Sequence, residues 1–238
     1  MPLNFDIYLA KSYAGCPPHE GYSIIKSWCD KKKFGGFSYT SNVDGHWKAC
    51  GFDENRIVEC HGTVHKLQCQ RLEKDKDCPN FNTSWDTPRD FIWEMQLADD
   101  GSDVIVSDLP KCPGCNSVAR PMVFMFEDTT VIPKYSSAQD QRYNAWLREL
   151  TANRAKLVVL EIGAGVVIPT IRWEGEKICQ QFKCPLIRVN PQNCTLKIII
   201  GGGNKVSFPF VPLKEPALRA IKAVDDLLKE EDDNKITI

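Results

Sequence analysis

The sequence predicts an α/β protein with a mostly parallel sheet and a small inserted module. Helical and strand patterns alternate along most of the chain, which is typical of parallel strands joined by helical crossovers. Residues 157–162 are almost all apolar, as expected of a parallel strand covered on both faces. Residues 69–120 have few aliphatic side chains and cannot bury a core of their own. We therefore expect residues 1–68 and 121–238 to form the sheet domain and residues 69–120 to form the module.

Composition and charge exclude several classes of function. The 238 residues carry a net charge of −1, so nothing indicates direct capture of nucleic acid or of an anionic membrane. No apolar run has the length of a membrane span, and the sequence does not open with a charged and then apolar leader. The odd number of cysteines, eleven, favours reduced thiols over a disulfide framework. We expect an intracellular, cytoplasmic protein, with a nuclear location as the alternative.

The first half of the chain shows one helix and three strands. Apolar side chains at helical spacing predict a helix over residues 19–32, which ends in three lysines followed by glycine. We interpret the lysines, residues 31–33, as a solvated helix end. Aromatic and β-branched residues predict strands over residues 36–40, 56–60 and 63–68.

The second half alternates strands with longer helices. A strand over residues 121–126 precedes a helix over residues 137–150, with Ser136 and Ser137 as caps. After the apolar strand, Pro169 begins a helix that extends to about residue 182. The remaining predictions are strands over residues 185–189 and 197–200, a helix over residues 216–229 and a frayed acidic tail at residues 230–233.

Polar side chains follow two of the predicted strands, at the point where each strand ends. Asn42 and Asp44 lie in the turn after the first strand, and His61 follows the second. Ligands of open α/β sheets bind at the carboxyl ends of the strands. An Asn-x-Asp-Gly turn and a lone histidine are also common as purely structural features. The pattern therefore indicates a candidate site without specifying its ligand.

Four cysteines bracket the inserted module. Cys69 and Cys78 open it, and Cys112 and Cys115 close it in a CPGC turn that lets two sulfurs converge on one ion. Four thiolates suit a tetrahedral, structural zinc ion and leave no open position for chemistry. The alternative is a turn with two cysteines and no metal. The other seven lack ligand spacing, and we interpret them as small apolar fillers: Cys16, Cys29, Cys50, Cys60, Cys179, Cys184 and Cys194.

Five segments, in the same order, resemble motifs of the sirtuins, the NAD-dependent protein deacylases. TSNVDG at residues 40–45 is similar to the sirtuin TQNID-G motif, and VECHG at residues 58–62 is similar to VELHG. CPGC at residues 112–115, followed by RPMVFMFED, resembles CPxC…RPxVVxFGE. IGAGVVIP at residues 162–169 and IRVN at residues 187–190 stand where sirtuins have GTSLxVxP and VIxIN. The matches span roughly residues 17–225, and their shared order makes the resemblance specific.

The resemblance implies a Rossmann-like NAD-binding domain and a deacylase that acts on an acylated-lysine protein or peptide. The acyl oxygen attacks the nicotinamide ribose, nicotinamide leaves, and an alkylimidate forms. His61 then acts as catalytic base through the ribose hydroxyls, a task that suits a side chain whose ordinary pKa lies near neutral pH. Asn42 binds the ribose or an ordered water, and Asp44 accepts a hydrogen bond from the nicotinamide carboxamide.

Further along the chain, the resemblance implies contacts with the rest of the dinucleotide. Gly163 and Gly165 let backbone N–H groups approach it, and Asn190 holds the adenosine ribose. Gly165 replaces the serine of the sirtuin motif, and the loop to Pro169 is one residue shorter. Glu127 stands where sirtuins have a glycine in the strand that pairs with the substrate peptide, which implies a changed peptide or acyl preference.

One sirtuin segment has no counterpart here, namely the Gly-rich GAGxSxxSGIPDFR loop that cradles the NAD phosphates. We expect codons upstream of Met1 to encode it; the alternative is a protein without that central strand. Two other functions therefore stay open. One is a related NAD-consuming enzyme, either an ADP-ribosyltransferase or an NAD hydrolase, and the other is a non-catalytic scaffold stapled by zinc. His19, His46 and His65 have no motif support and are interpreted as surface or packing residues.

Overall fold

The computed structural model describes residues 13, 16–70, 78–80, 82–88, 96–97, 104–105, 110–124, 133–196 and 208–236. The chain divides into two compact units. The first comprises Met1–Pro17 and Ser38–Tyr143, and the second comprises Pro18–Phe37 and Asn144–Ile238. None of the described helices combines the length and apolar character that a membrane crossing requires.

Five α-helices and ten strands are present in the described part of the chain. The helices are α1 (Glu20–Asp30), α2 (His46–Ala49), α3 (Pro133–Ala152), α4 (Thr170–Phe182) and α5 (Ala217–Ile236). The strands are β1 (Ser38–Thr40), β2 (Ile57–Glu59), β3 (Gly62–Cys69), β4 (Ser84–Asp86), β5 (Gln96–Leu97), β6 (Val104–Ile105), β7 (Ala119–Val123), β8 (Val159–Ile162), β9 (Leu186–Val189) and β10 (Phe210–Leu213).

A short parallel pair of strands places the candidate catalytic residues in the first unit. β1 and β2 pair in parallel, with Ser38 opposite Ile57 and Thr40 opposite Glu59. All three residues of β2 are buried. The Cys60 N–H donates to the Thr40 carbonyl at 2.9 Å and extends the pairing beyond β2. The carboxyl ends of the two strands therefore lie side by side.

An antiparallel sheet of order β4-β3-β7 brings the two ends of the predicted module together. In its register, Cys69 at the end of β3 lies opposite Ala119 at the start of β7. Cys112 and Cys115 precede β7 by a few residues. The pairing of β3 with β7 thus closes the long loop between them and returns the chain to its opening cysteine. β5 and β6 form a separate antiparallel pair.

The turn between β2 and β3 requires a glycine at position 62. Gly62 has a φ of +82°, a conformation that side chains strongly disfavour. A Cβ atom built there would lie 2.0 Å from the Met122 carbonyl oxygen of β7. The absence of a side chain at Gly62 therefore lets β3 turn away directly after His61 while still pairing with β7.

The second unit contains a three-stranded parallel sheet of order β10-β9-β8. One of its faces packs in an apolar cluster with α4, whose buried members are Cys179, Cys184, Leu186 and Phe208. Because side chains alternate along each strand, Leu160, Ile187, Val189 and Leu213 lie on the opposite face. Trp28 of α1 donates from Nε1 to Oδ1 of Asp225 in α5 at 2.7 Å, and this hydrogen bond joins the two helices.

Most predicted elements are confirmed with slightly shifted ends, but one strand was missed and two predictions need correction. β10 was not predicted; its Pro212 is tolerated because β10 is an edge strand. α3 begins at Pro133, so Ser136 and Ser137 are not its caps. The acidic residues 230–233 are not frayed but belong to α5, in which Lys229 and Asp225 form an ion pair. Parallel strand pairs occur in both units, as predicted, and the sheet around the cysteines is antiparallel.

Several predictions are not decided by this structure. The strand at residues 197–200 and Glu127 lie outside the described residues. The division into a sheet domain of residues 1–68 and 121–238 and a module of residues 69–120 stays a prediction.

Candidate active site and metal centre

The polar residues that follow β1 and β2 lie at the same edge of this parallel pair. Asn42 and Asp44 follow β1, and His61 follows β2, its parallel partner. The His61 imidazole hydrogen-bonds to the backbone of Ser41, which directly precedes Asn42. On its other side, the His61 carbonyl accepts from the Phe124 N–H at 2.8 Å. His61 is thus fixed between the β1 turn and the chain that follows β7.

Burial makes His61 a suitable general base. Its partial burial lowers the pKa of the imidazole below 6.5, while the hydrogen bond to the Ser41 backbone raises it, and burial dominates. The side chain is therefore mostly neutral at pH 7. A neutral imidazole has a free lone pair on one ring nitrogen, so His61 can accept a proton from a hydroxyl group.

The turn after β1 is held by a set of local hydrogen bonds. Thr40 Oγ1 accepts from the Asn42 N–H at 3.0 Å. Asp44 Oδ1 accepts from the His46 N–H at 2.9 Å, and Asp44 Oδ2 lies 3.5 Å from His46 Nδ1. His65 Nε2 donates to the Asp44 carbonyl at 2.8 Å. Asn42 remains exposed, whereas one carboxylate oxygen of Asp44 is already engaged in the turn.

Sequence reasoning missed the positioning role of His46 and His65. Each uses Nε2 to donate to a carbonyl, His46 to Cys16 at 2.8 Å and His65 to Asp44. A Cβ atom on Gly45 would meet the His65 ring at 2.5 Å, so the ring packs directly on this turn. His19 has a separate structural task, because its Nδ1 accepts from the Gly21 N–H at the start of α1. The Asp-Gly-His order, which suits a capped helix start, was the available signal for His46.

The four predicted cysteine ligands form one compact cluster. Their sulfur atoms all lie within 4.8 Å of one another. Cys69 Sγ is 3.7 Å from Cys115 Sγ, and Cys78 Sγ is 3.5 Å from Cys112 Sγ. Tetrahedral zinc with bonds of about 2.3 Å to sulfur has sulfur–sulfur edges of about 3.8 Å. The cluster is therefore compatible with a zinc ion.

The surroundings of the cluster favour the thiolate form of Cys115 and provide a hydrogen-bond donor to Cys112. Hydrogen bonds from the Ser117 side chain and backbone lower the pKa of Cys115 to about 6, whereas burial raises the pKa of Cys78. Asn80 Nδ2 lies 3.8 Å from Cys112 Sγ and can donate to it. Three of the four sulfurs are buried, which excludes competing water. Among the other cysteines, Cys179, Cys184 and Cys194 are buried as predicted for fillers, whereas Cys16 is exposed, so the filler interpretation is wrong for it.

The second unit contains the predicted nucleotide-binding glycines in an exposed loop after β8. Gly163 has a φ of +65°, and no atom lies within 4 Å of a Cβ built at Gly163 or at Gly165. The space beside both residues is open. The Gly163 N–H, however, donates to the Val189 carbonyl at 2.9 Å and is not offered to a ligand. A cofactor contact of Gly163 would therefore use its lack of a side chain and not its amide.

Asn190 acts as a brace between two loops. Its Nδ2 donates to the Ala164 carbonyl at 3.1 Å, and its Oδ1 accepts from the backbone N–H groups of Gln192 and Asn193. The side chain is buried. The structure thus shows Asn190 holding the loops after β8 and β9 together, and its predicted contact with a ribose stays a prediction.

A buried ionic cluster lies beneath the same two loops, and sequence reasoning missed it. Arg188 is fully buried, with Nε 2.6 Å from Glu161 Oε1 and NH2 2.9 Å from Glu176 Oε1. Arg172, also buried, donates to the carbonyls of Ala164 at 2.8 Å and Asn193 at 2.7 Å. The available signal was a charged residue within each of two otherwise apolar strands, β8 and β9.

Comparison with known proteins decides the family. The Sir2 family model matches residues 2–208. This chain belongs to the Sir2 family. An NAD-dependent protein deacetylase from Geobacillus kaustophilus is 25% identical over 180 residues, which cover 72% of this chain and 62% of that protein. The histone deacetylase SIR2 of Candida glabrata is 24% identical, over 86% of this chain and 36% of its own length. This Sir2 chain therefore aligns with less than two thirds of either relative.

Other Sir2 relatives differ in their named activity, and solved structures show the fold. A protein ADP-ribosyltransferase from Staphylococcus aureus is 25% identical over 68% of this chain and 48% of its own length. A Sir2 homologue solved with ADP-ribose has a TM-score of 0.63 at 17% identity, covering 97% of this chain and 74% of that one. A Sir2 protein bound to acetylated peptide has a TM-score of 0.52 at 17% identity, covering 90% of this chain and 72% of that one. The Rossmann-like α/β fold is thereby confirmed.

The cysteine cluster of this Sir2 chain gives a direct prediction about metal content. We expect one zinc ion per chain by elemental analysis, and we expect Cys112→Ser to lose it, because Cys112 is a buried member of the cluster. The free energy of unfolding should fall by more than about 2 kcal/mol, since the binding energy of a structural zinc contributes to folding. Cys16→Ser is the matched control, because Cys16 is exposed and outside the cluster. Equal zinc content in the two variants would contradict the assignment.

Proposed function

We propose that this chain is an NAD-dependent protein deacylase in which His61 is the general base. The observation that carries the proposal is the position of His61, at the carboxyl end of β2, against the turn that contains Asn42 and Asp44. Its lowered pKa supplies the neutral imidazole that the task needs. The named activities of the deacetylase relatives support the same chemistry.

The proposed reaction consumes NAD and an acyl-lysine side chain. The acyl oxygen bonds to C1′ of the nicotinamide ribose, and nicotinamide leaves with the electrons of the broken C–N bond. His61 takes a proton from a ribose hydroxyl, whose oxygen then attacks the acyl carbon. Water then adds to the acyl carbon, and the bonds from this carbon to the lysine nitrogen and to the C1′ oxygen break. The products are free lysine and O-acyl-ADP-ribose, besides the nicotinamide released earlier. The substrate is a protein or peptide, as in the related structure that holds an acetylated peptide.

The other predicted residues have binding roles in this proposal. Asp44 Oδ2, which is not used by the His46 N–H, accepts a hydrogen bond from the nicotinamide carboxamide. Asn42, exposed beside it, binds the ribose or the attacking water. Gly163 and Gly165 leave room for the dinucleotide, and Asn190 contributes to adenosine binding through the loops that it joins.

We assign the zinc ion a structural role only. Cys69, Cys78, Cys112 and Cys115 would fill all four positions of a tetrahedral ion, so no position stays open for substrate or water. The ion would join β3 to the turn that precedes β7, and β3 begins directly after His61. Zinc would thereby stabilise the first unit without taking part in the reaction.

A second candidate is protein ADP-ribosylation or simple NAD hydrolysis. The relative from Staphylococcus aureus favours it, because that protein is named an ADP-ribosyltransferase at an identity similar to that of the deacetylases. Such an enzyme cleaves the same nicotinamide bond but delivers the ADP-ribosyl group to a protein side chain or to water. The third possibility is a non-catalytic scaffold stapled by zinc.

Product analysis distinguishes these functions. We would incubate the zinc-loaded protein with NAD and an acetyl-lysine peptide and follow nicotinamide, peptide mass and nucleotide products by mass spectrometry. Deacylation predicts equal amounts of nicotinamide, deacetylated peptide and O-acetyl-ADP-ribose. A peptide or protein that gains an ADP-ribosyl group indicates transferase activity, and free ADP-ribose with an unchanged peptide indicates hydrolysis. Unchanged NAD would contradict every enzymatic proposal.

A further inference from the structure

A cavity of about 460 Å³ opens within the second unit, on the sheet face opposite α4. Leu160, Ile187, Val189 and Leu213 form its floor, one or two from each strand of the parallel sheet. Trp28 of α1 and aliphatic side chains of α5 form the opposite wall. Its volume lies in the range of about 300–1,000 Å³ that is typical of small-molecule sites.

The walls of this cavity are aliphatic, and this decides the chemistry of its interior. Val, Leu, Ile and Ala side chains dominate the lining, and they offer no hydrogen bonds to a polar ligand. Leu160, Ile187 and Leu213 are only partly buried, so the sheet face is not filled by the helices that cover it. Burying apolar ligand surface there is favourable at about 0.8 kcal/mol for each methylene group.

The charged side chains of the lining come only from the end of α1 and the second half of α5, two segments that the Trp28–Asp225 hydrogen bond joins. Lys31 and Lys32, directly after α1, and Lys229 and Glu231 of α5 are all exposed there. Lys229 Nζ pairs with Asp225 Oδ2 at 2.7 Å, and the other oxygen of that carboxylate accepts from Trp28.

Because Lys229 is paired with Asp225, Lys31 and Lys32 are the lining cations available to a ligand at the opening. In the parts of the chain that the structure describes, neither Lys31 nor Lys32 forms an ion pair, although the charge of Lys31 acts on Asp225 at longer range. Three lysines and two carboxylates line the cavity, so the charge at this end is positive by one. The cavity thus combines an apolar interior with a cationic opening.

We propose that this cavity binds a free straight-chain fatty acid, with the alkyl chain inside and the carboxylate at Lys31 and Lys32. A flexible alkyl chain matches aliphatic walls that provide no directional contacts. A carboxylate matches the excess positive charge at the opening. His61 is not among the residues that line this cavity, and the proposal does not depend on the deacylase function.

Calorimetry with a series of saturated fatty acids tests the proposal. The zinc-loaded protein is titrated with carboxylates of about eight to about sixteen carbons, each below its micelle concentration. We expect one site per chain and a Kd that falls about fourfold for each added methylene until the cavity is full. The alcohol and the trimethylammonium compound of equal chain length should bind more weakly than the carboxylate. Absence of saturable binding, or a preference for the ammonium compound, would overturn the proposal.

Three variants locate the site. Lys32→Glu should weaken the binding of the best carboxylate about fivefold or more, because it replaces an attraction by a repulsion at the opening. Lys33→Glu is the matched control, since it makes the same charge change at a neighbouring exposed lysine outside the lining. Val224→Trp fills the interior and should abolish binding of the long chains, with circular dichroism as the check of folding. If the substitutions at positions 32 and 33 weakened binding equally, the carboxylate would not lie at Lys32 and the proposed site would be wrong. It would also be wrong if the folded Val224→Trp variant bound the long chains as tightly as the wild-type protein.

Discussion

Replacing His61 with alanine is expected to lower the kcat of NAD-dependent deacylation by about a hundredfold to ten-thousandfold. The reason is that the proposal makes His61 the acceptor of the ribose hydroxyl proton, and alanine has no group that can accept it. The KM for the peptide should change much less, because the imidazole acts on the ribose hydroxyl and not on the peptide. Initial rates of nicotinamide release and peptide deacetylation measure both parameters.

The matched control for His61 is another histidine with a structural task. His19→Asn removes an imidazole but keeps a side chain that can accept from the Gly21 N–H at the start of α1. It should retain wild-type activity. The acidic limb of the wild-type pH profile should lie below pH 6.5, because burial lowers the pKa of His61 and the neutral form is the active one. An active His61→Ala variant, or a limb above pH 6.5, would contradict the proposed base.

Replacing Arg188 with methionine is expected to lower the free energy of unfolding by about 3–5 kcal/mol. Methionine retains much of the buried volume but leaves the carboxylates of Glu161 and Glu176 without the cation that they share. Urea unfolding monitored by circular dichroism measures the loss.

Two comparisons separate the ionic effect from a packing effect. The double variant with Glu176→Gln and Arg188→Met should recover part of the lost stability, because it removes one of the two carboxylates and leaves Arg172 4.0 Å from Glu161 Oε1. Lys177→Met, which removes an exposed partner of Glu174 on the same helix, should cost less than about 1 kcal/mol. A double variant that is less stable than Arg188→Met would show that unpaired buried charge does not cause the loss of stability.

The signals that pointed to the candidate site and to the cysteine cluster are local ones. Asn42, Asp44 and His61 were placed at one edge because each follows a recognisable strand, and parallel strands end together. The four cysteines came from spacing and composition. Neither inference required long-range geometry, since a strand pattern and a CxxC turn are both local signals.

What the sequence could not supply depends on tertiary context. Pro212 argues locally against a strand, yet β10 tolerates it because only one side of an edge strand is paired. Arg188 and Glu161 were unremarkable charged residues until the register of β8 and β9 placed them opposite each other. Asn190 Nδ2 donates to the Ala164 carbonyl, and the Gly163 N–H donates to the Val189 carbonyl. Neither hydrogen bond could be predicted, because only the folded sheet brings the ends of β8 and β9 together.

The most direct test of the central claim is a calorimetric titration of the zinc-loaded protein with NAD. The claim is that the turn after β1 binds the nicotinamide ribose end of NAD beside His61. We chose Asp44→Asn and Asp53→Asn as a matched pair, because each aspartate accepts a backbone N–H two residues on and asparagine can do the same. The account predicts saturable binding that Asp44→Asn weakens about tenfold or more and Asp53→Asn leaves unchanged. Absence of binding heat in the folded protein, or equal affinities for the two variants, would contradict it.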